Sequence, residues 1–220
     1  MSNFKEKQLQ LYGHSITDLQ TQMTSRNVAH SALPLSSSKV TIAGAGGLGS
    51  NIAIVLARIG IGHLTLVDFD QVELSNLNRQ QYKLNQIGMA KVVALKQNIE
   101  EFNPFISVTP LQVTVSAANV ADLFADADVI CEAFDDPAAK ALLLRECSRL
   151  FPQKPLVMAS GMAGIHPANQ IKTKQINQHV YVAGDGVSSG QEGLMAPRVM
   201  VAAGHQANQI VRLILGNQAD

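Results

Sequence analysis

The chain alternates between short runs rich in apolar and β-branched residues and longer stretches in which apolar residues recur at helical spacing. "KVTIAG" at 39–44 is the first such run and ends in glycine. "GSNIAIVLARIG" at 49–60 follows at helical spacing and is stopped by Gly60 and Gly62. "HLTLVD" at 63–68 reads as the second strand, and "GMAKVVALKQNIEEFN" at 88–103 as an amphipathic helix closed by Pro104. "ISVTPLQVTV" at 106–115 predicts a strand, placed at a sheet edge because Pro110 has no N–H to donate. The pattern repeats as helix 117–126, strand 127–134, helix 137–150 and strand 155–161. After Gly161 it changes: one or two strands fall within 169–184, a long flexible loop covers 185–196, and a closing helix spans 197–216. Upstream, residues 3–27 are polar with scattered apolar positions and predict a helical arm, while "SALPLSSS" at 31–38 breaks the chain before the first strand. Alternating strands and helices imply an α/β fold: a doubly wound, mostly parallel sheet with helices on both faces, plus a short N-terminal helical arm. The expected division is an arm at 1–30 and one domain at 31–220.

Composition narrows the function classes. The 220 residues are 46% hydrophobic but only 5% aromatic, as helices packed on a buried parallel sheet require. Formal net charge is zero and charged residues make up 15%, so no electrostatic footprint for nucleic acid or an anionic membrane is expected. No apolar run approaches the roughly 18–20 residues that span a bilayer. "MSNFKEKQLQLYGHS" has no apolar signal core, and two cysteines do not make a disulfide framework. A cytoplasmic protein is the expectation.

The first candidate chemistry is glycine-based. Gly44, Gly46 and Gly49 form G-x-G-x-x-G between a strand and a helix, with Ala45, Gly47 and Leu48 filling the turn. The first glycine permits a tight turn, the second lets backbone approach a phosphate, and the third lets helix lie close to strand. The helix N-terminus offers free N–H groups and a positive dipole end. Asp68 ends the second strand 19 residues after Gly49, placed to accept from ribose hydroxyls. NAD and ATP both satisfy these features.

The continuation, "FDQVELSNLNRQQYKLNQIGMAK", departs from a dehydrogenase. Asn76, Arg79 and Lys91 all follow within 23 residues of Asp68. A guanidinium fork and a lysine point charge beside a phosphate chain hold a triphosphate and stabilise charge at the α-phosphorus, which hydride transfer does not need. A nicotinamide-dependent oxidoreductase stays as the less favoured alternative.

Taken together, "GAGGLGSN", "LVDFDQVELSNLNRQQY", "IGMAKV", "EAFDDPAAKA", "ASGMAG" and "GLMAPRV" resemble the ubiquitin-activating-enzyme superfamily, in particular its short bacterial ThiF-type sulfur-carrier adenylyltransferases. The resemblance covers about residues 39–216 and implies a Rossmann-like, ATP-binding adenylyltransferase domain. Enzymes of this kind adenylate the C-terminal glycine carboxylate of a small β-grasp sulfur carrier, here a ThiS-like one of thiamine thiazole biosynthesis, and release pyrophosphate. Related enzymes act on a molybdopterin carrier or in tRNA modification. The resemblance implies that residues 44–49 cradle the phosphates, that Asp68 takes the ribose with Asp70 beside it, and that Asn76, Arg79 and Lys91 contact phosphate. Asp135 would hold Mg²⁺, with Asp136 as the alternative N-cap before Pro137. Arg79, Lys91 and Asp135 are the candidate catalytic residues. The resemblance also implies a homodimer in which an N-terminal arginine, here Arg26, reaches the partner's ATP site. It departs from relatives that bind zinc through two C-x-x-C pairs, since Cys131 and Cys147 are the only cysteines and no zinc is expected. Cys131 lies in the apolar strand "DVICEAF" and Cys147 in a helix; both read as inert, so another protein would supply sulfur.

Overall fold

The computed structural model describes residues 16–216. Its centre is a seven-stranded sheet of β1 (Lys39–Ala43), β2 (His63–Val67), β3 (Ser107–Leu111), β4 (Val129–Glu132), β5 (Leu156–Ala159), β6 (Lys172–Gln175) and β7 (Val180–Gly184), in the order β3-β2-β1-β4-β5-β7-β6. All neighbours are parallel except β6, which pairs antiparallel with β7 at the edge. Pro110 lies on β3 at the opposite edge, where a missing ladder donor costs least.

The helices are α1 (Ile16–Thr24), α2 (Ala32–Ser37), α3 (Gly47–Ile59), α4 (Lys91–Phe102), α5 (Val120–Phe124), α6 (Pro137–Leu150) and α7 (Ala196–Ile214). They cover both faces because the strands carry apolar side chains on both. On β4, Val129 and Cys131 join one core with Ile52, Leu56 and Ile210 of α3 and α7, while Ile130 joins the other with Phe124 and Leu143 of α5 and α6. β5 splits likewise, Val157 and Ala159 against Leu156 and Met158. Such two-sided burial makes these strands read as continuous apolar runs rather than alternating ones.

Three local expectations change. Residues 31–38 are not a plain break: Ala32–Ser37 is one short helix, with Pro34 in its first turn, where a missing N–H costs nothing. The helix expected over 88–103 starts at Lys91, after Gly88 turns the chain at φ +86°. The stretch 185–196 is not a free loop but is cross-linked, as set out below. Of the arm expected over 3–27, residues 1–15 lie outside the described residues. The described part packs against the far end of α3, where the Asn27 Nδ2 donates to Ile59 O at 2.9 Å. Among the described residues, no helix is long and apolar enough to cross a membrane.

Candidate active site

β1 and β4 are neighbours, and the chain leaves their C-terminal ends in opposite directions along the sheet. Ligands collect at this switch point in doubly wound folds, because the two departing connections open a crevice there. The glycine turn follows β1 and "EAFDDP" follows β4, so topology sets the two motifs side by side.

The glycines fix this contact. Gly44 has φ +102°, and a Cβ on it would lie 2.6 Å from Ala133 O at the end of β4. A Cβ on Gly49 would lie 1.8 Å from Gly44 O, so α3 packs against the turn only without one. Gly46 differs: its open side meets nothing nearer than Gln80 Nε2 at 3.9 Å. Gly46 is also the N-cap of α3 and brings no capping side chain, which leaves the first-turn N–H groups for an anion.

The polar segment after β2 folds back over this turn. Asn51 Nδ2 donates to Arg79 O at 3.0 Å, the Gln81 N–H donates to Ser50 Oγ at 3.2 Å, and Gln81 Nε2 donates to Asn51 Oδ1 at 2.7 Å. Tyr82 donates its hydroxyl to Ala45 O at 2.6 Å; burial pushes that hydroxyl's pKa well up, so it stays a neutral donor. Arg79 therefore lies across the start of α3, its stem 3.6 Å from the side-chain direction of Gly47. Its Nη1 holds Ser75 O and Asn78 Oδ1, whereas its Nε is buried with no partner among the described residues. Gln80 Oε1 is likewise buried with no partner among the described residues. Unsatisfied buried polar atoms are costly, and these two flank one turn.

The other expected residues take definite places. Asp68 is 9% exposed; its Oδ2 accepts from Ala45 N at 2.6 Å and its Oδ1 from Asp70 N at 2.8 Å, so it braces the turn as well as facing the crevice end of β2. Lys91, the first residue of α4, is buried and pairs with Asp70 Oδ2 at 2.7 Å. Asn76 closes its own turn: its Oδ1 accepts from Glu73 N at 3.0 Å and its Nδ2 donates to Ser75 Oγ. The adjacent acids divide their roles. Asp136 caps α6, accepting from Ala139 N at 2.8 Å, and Asp135 is exposed at the strand end with no hydrogen bond among the described residues. Arg26 is not brought here. Its neighbour Asn27 is tied to the last residue of α3, about 20 Å along a 13-residue helix from Gly47.

Sequence reasoning missed the supports. Glu132, fully buried, takes both carboxylate oxygens to Lys140 Nζ at 2.9 and 3.0 Å and accepts from Phe134 N at 2.6 Å. Burial pushes its pKa up, against the pull of the Lys140 charge and the N–H groups of Phe134 and Ala159. Gln206 of α7 donates to Glu132 O at 2.8 Å. Together they hold the end of β4 from which Asp135 projects. Cys131 is wholly buried beneath it, and burial raises its thiol pKa far above the usual range. Cys147 is buried in α6, its thiol pushed up to about 12 by burial, with Glu146 adding to the effect. No group of three His, Cys, Asp or Glu among the described residues could hold a metal ion.

A mostly parallel doubly wound sheet with a glycine turn at its switch point defines a Rossmann-like α/β domain. The chain belongs to the ThiF family, which it matches over residues 19–220. It is 34% identical over 192 residues to the molybdopterin-synthase adenylyltransferase of Escherichia coli, covering 83% of this chain and 75% of that one. It is 32% identical over 190 residues to the adenylyltransferase and sulfurtransferase UBA4 of Yarrowia lipolytica, covering 84% of this chain, and spans about half (48%) of that relative's length. In fold it is similar to E. coli tRNA N6-threonylcarbamoyladenosine dehydratase TcdA in complex with AMP, with TM-score 0.83 and 23% identity, over 94% of this chain and 100% of that one.

Proposed function

We propose that this chain is an ATP-dependent adenylyltransferase that activates the C-terminal glycine carboxylate of a small β-grasp sulfur carrier, a ThiS-like protein of thiamine thiazole formation. The observation that carries this reading is the stitching of residues 79–82 onto the glycine turn. It places a guanidinium whose buried Nε has no partner among the described residues beside an uncapped helix N-terminus; the helix end suits any nucleotide phosphate, and the guanidinium is the addition that a triphosphate uses and hydride transfer does not need. The family and its adenylyltransferase relatives support it. TcdA has been solved with ATP, and MccB of E. coli likewise.

A carboxylate is a poor electrophile, and a mixed anhydride with AMP is a good one. The carrier's carboxylate oxygen attacks the α-phosphorus in line; the bond to the bridging oxygen breaks and pyrophosphate leaves. No covalent nucleophile from the enzyme is needed, so positioning and charge stabilisation carry the rate. The turn's N–H groups and Arg79 bind phosphate oxygens, and Lys91 neutralises charge once Asp70 shares it. Asp68 orients the ribose. Mg²⁺, held by Asp135 together with phosphate oxygens, would add charge neutralisation; a single uncommitted carboxylate suits an ion that keeps most of its ligands as water and phosphate. Arg26 is proposed to serve the ATP site of a second copy in a homodimer, since the arm carries it away from its own.

A second reading has its own support. The molybdopterin-synthase adenylyltransferase matches over three-quarters of its length, which favours a molybdopterin-type carrier. The deciding experiment is incubation with ATP, Mg²⁺ and each candidate carrier, followed by intact mass measurement of the carrier. One carrier should gain the mass of an adenylate. No adduct on any carrier, in protein that binds ATP, would overturn the reading.

A further inference from the structure

The loops after β5 and β7 leave the same end of the sheet as the glycine turn, because both strands run parallel to β1 and β4. One buried arginine joins them. Arg198, 4% exposed in the first turn of α7, donates from Nε to Ala163 O at 2.9 Å and from Nη1 to His166 O at 2.6 Å and Pro167 O at 3.1 Å. Its Nη2 pairs with the Asp185 carboxylate, which is equally buried. The other Asp185 oxygen accepts from Val187 N at 2.8 Å and Ser188 N at 2.9 Å, and so folds its own loop. Ser188 Oγ in turn accepts from Ala163 N at 3.1 Å, and Gly193 O from Gly164 N at 2.9 Å. The approach is close enough that a Cβ on Gly161 would lie 2.0 Å from Asp185 Oδ1.

A guanidinium with hydrogen bonds from all three nitrogens and a buried carboxylate, both committed to two surface loops, imply that the spacing of the loops matters. β5 adjoins β4 and β7 adjoins β5, so the clasped loops continue the row of strand ends that starts with the glycine turn after β1 and "EAFDDP" after β4. The residue after Arg198, Val199, packs 3.2 Å from the side-chain direction of Gly47, which ties the clasp directly to the start of α3. Each loop carries one highly exposed apolar residue, Ile165 at 87% and Val187 at 85%, and the polar groups beside them are paired with each other, His166 Nε2 with Glu192 Oε2 at 2.6 Å. Glycine-rich walls with apolar rims suit an extended, uncharged peptide of small residues better than a folded acidic or basic surface.

We propose that the Arg198–Asp185 pair is a positioning device for the carrier's extended C-terminal tail. It holds residues 160–167 and 184–193 as two walls that lead the tail to the glycine turn, with Ile165 and Val187 touching the tail from the rims. The inference rests on the adenylyltransferase reading above.

The test measures carrier-dependent exchange of labelled pyrophosphate into ATP for wild type, Arg198→Lys, Asp185→Asn, Ile165→Asp and Val187→Asp, with ATP affinity by calorimetry. Each variant should raise the KM for the carrier about tenfold, more than it lowers kcat, while the Kd for ATP stays within about twofold. The two rim variants alter exposed side chains and keep the test open if a clasp variant does not fold. Unchanged carrier KM in folded variants overturns the inference and leaves the adenylation reading standing. Exchange absent in wild type with every carrier overturns that reading, and this inference with it.

Discussion

The two walls of the crevice are built by different means. On the β1 side, residues 44–91 are close in sequence, and the site is made from backbone: a glycine turn, free helix N–H groups, and a return segment fastened by amides and hydroxyls of Asn51, Ser50 and Tyr82. On the β7 side, two loops some twenty residues apart are joined by one buried ion pair between Asp185 and Arg198. The first wall is held by many separate bonds, most of them between amides, hydroxyls and backbone, with the Asp68 carboxylate and the Lys91–Asp70 pair among them. The second has one buried charge pair at its centre, whose loss leaves the remaining partner buried and unpaired, with Ser188–Ala163, Gly164–Gly193 and His166–Glu192 as further links between the loops. Substitutions should therefore separate the walls: those on the β1 side should act on nucleotide chemistry, and those on the β7 side on the peptide and on loop order.

The largest effects should come from the nucleotide wall and from the end of β4 beside it. Lys91→Ala and Asp135→Ala should each fold normally yet lose adenylation by about 10²–10³-fold, about 3–4 kcal/mol, the scale for deleting one preorganised electrostatic group. Asp135→Ala should also raise the Mg²⁺ concentration needed. The neighbouring Asp136→Ala should do the reverse, lowering stability by about 1 kcal/mol through the lost α6 cap while leaving most of the exchange rate. Urea denaturation beside the exchange assay checks both halves of that contrast.

Gly49→Ala should cost about 3 kcal/mol of stability in the same denaturation, since its Cβ collides with the Gly44 carbonyl rather than with a movable side chain.

On the other wall the expected signature is pH dependence. Burial alone would raise the pKa of Asp185, but the N–H groups of Ser188 and Val187, the Ser188 hydroxyl and the Arg198 charge outweigh it and hold it at about 2, below its ordinary 3.8. A lowered folded pKa gives stability that is complete above the unfolded value and is lost as pH falls toward the folded one. The stability gap between wild type and Asp185→Asn should therefore be constant above about pH 5 and shrink between about pH 4 and pH 2. A gap that is flat through that window would contradict an ionised Asp185 in the clasp.

The smallest effect is expected at the sulfurs. Cys131→Ala and Cys147→Ala should leave adenylation intact, because both thiols are buried and held protonated. A carrier thioester trapped on either one would contradict this.

What was legible in the sequence follows the same division. Strand and helix alternation and the edge position of Pro110 could be read because local pattern dictates them. Gly44 and Gly49 could be read because a tight turn admits few residue types, whereas Asp68 reads as a ribose acceptor and its bracing of the turn through Ala45 N was not foreseen. Gln80, Glu132, Lys140, Asp185 and Arg198 could not. Their significance depends on burial and on partners up to 35 residues away, as with Arg198 and Ala163, and an isolated charge in a sequence most often marks a solvated surface. The 185–196 stretch read as flexible for the same reason: glycines and serines are local signals, whereas the cross-links that order it are not. Asn76 was read as a phosphate contact, yet in the structure its side chain caps its own turn, a role its place two residues before "NRQQ" does not reveal.

The central claim is that the return segment converts a general dinucleotide turn into an adenylation site through Arg79. Exchange of labelled pyrophosphate into ATP in the presence of the carrier tests it most directly, compared among wild type, Arg79→Ala and Arg79→Lys with circular dichroism as the folding control. Arg79→Ala should lose about 10²–10³-fold, and Arg79→Lys should not recover it, because a point charge cannot replace a planar fork. Near-wild-type exchange in a folded Arg79→Ala would return residues 75–81 to the status of a surface loop and contradict the account.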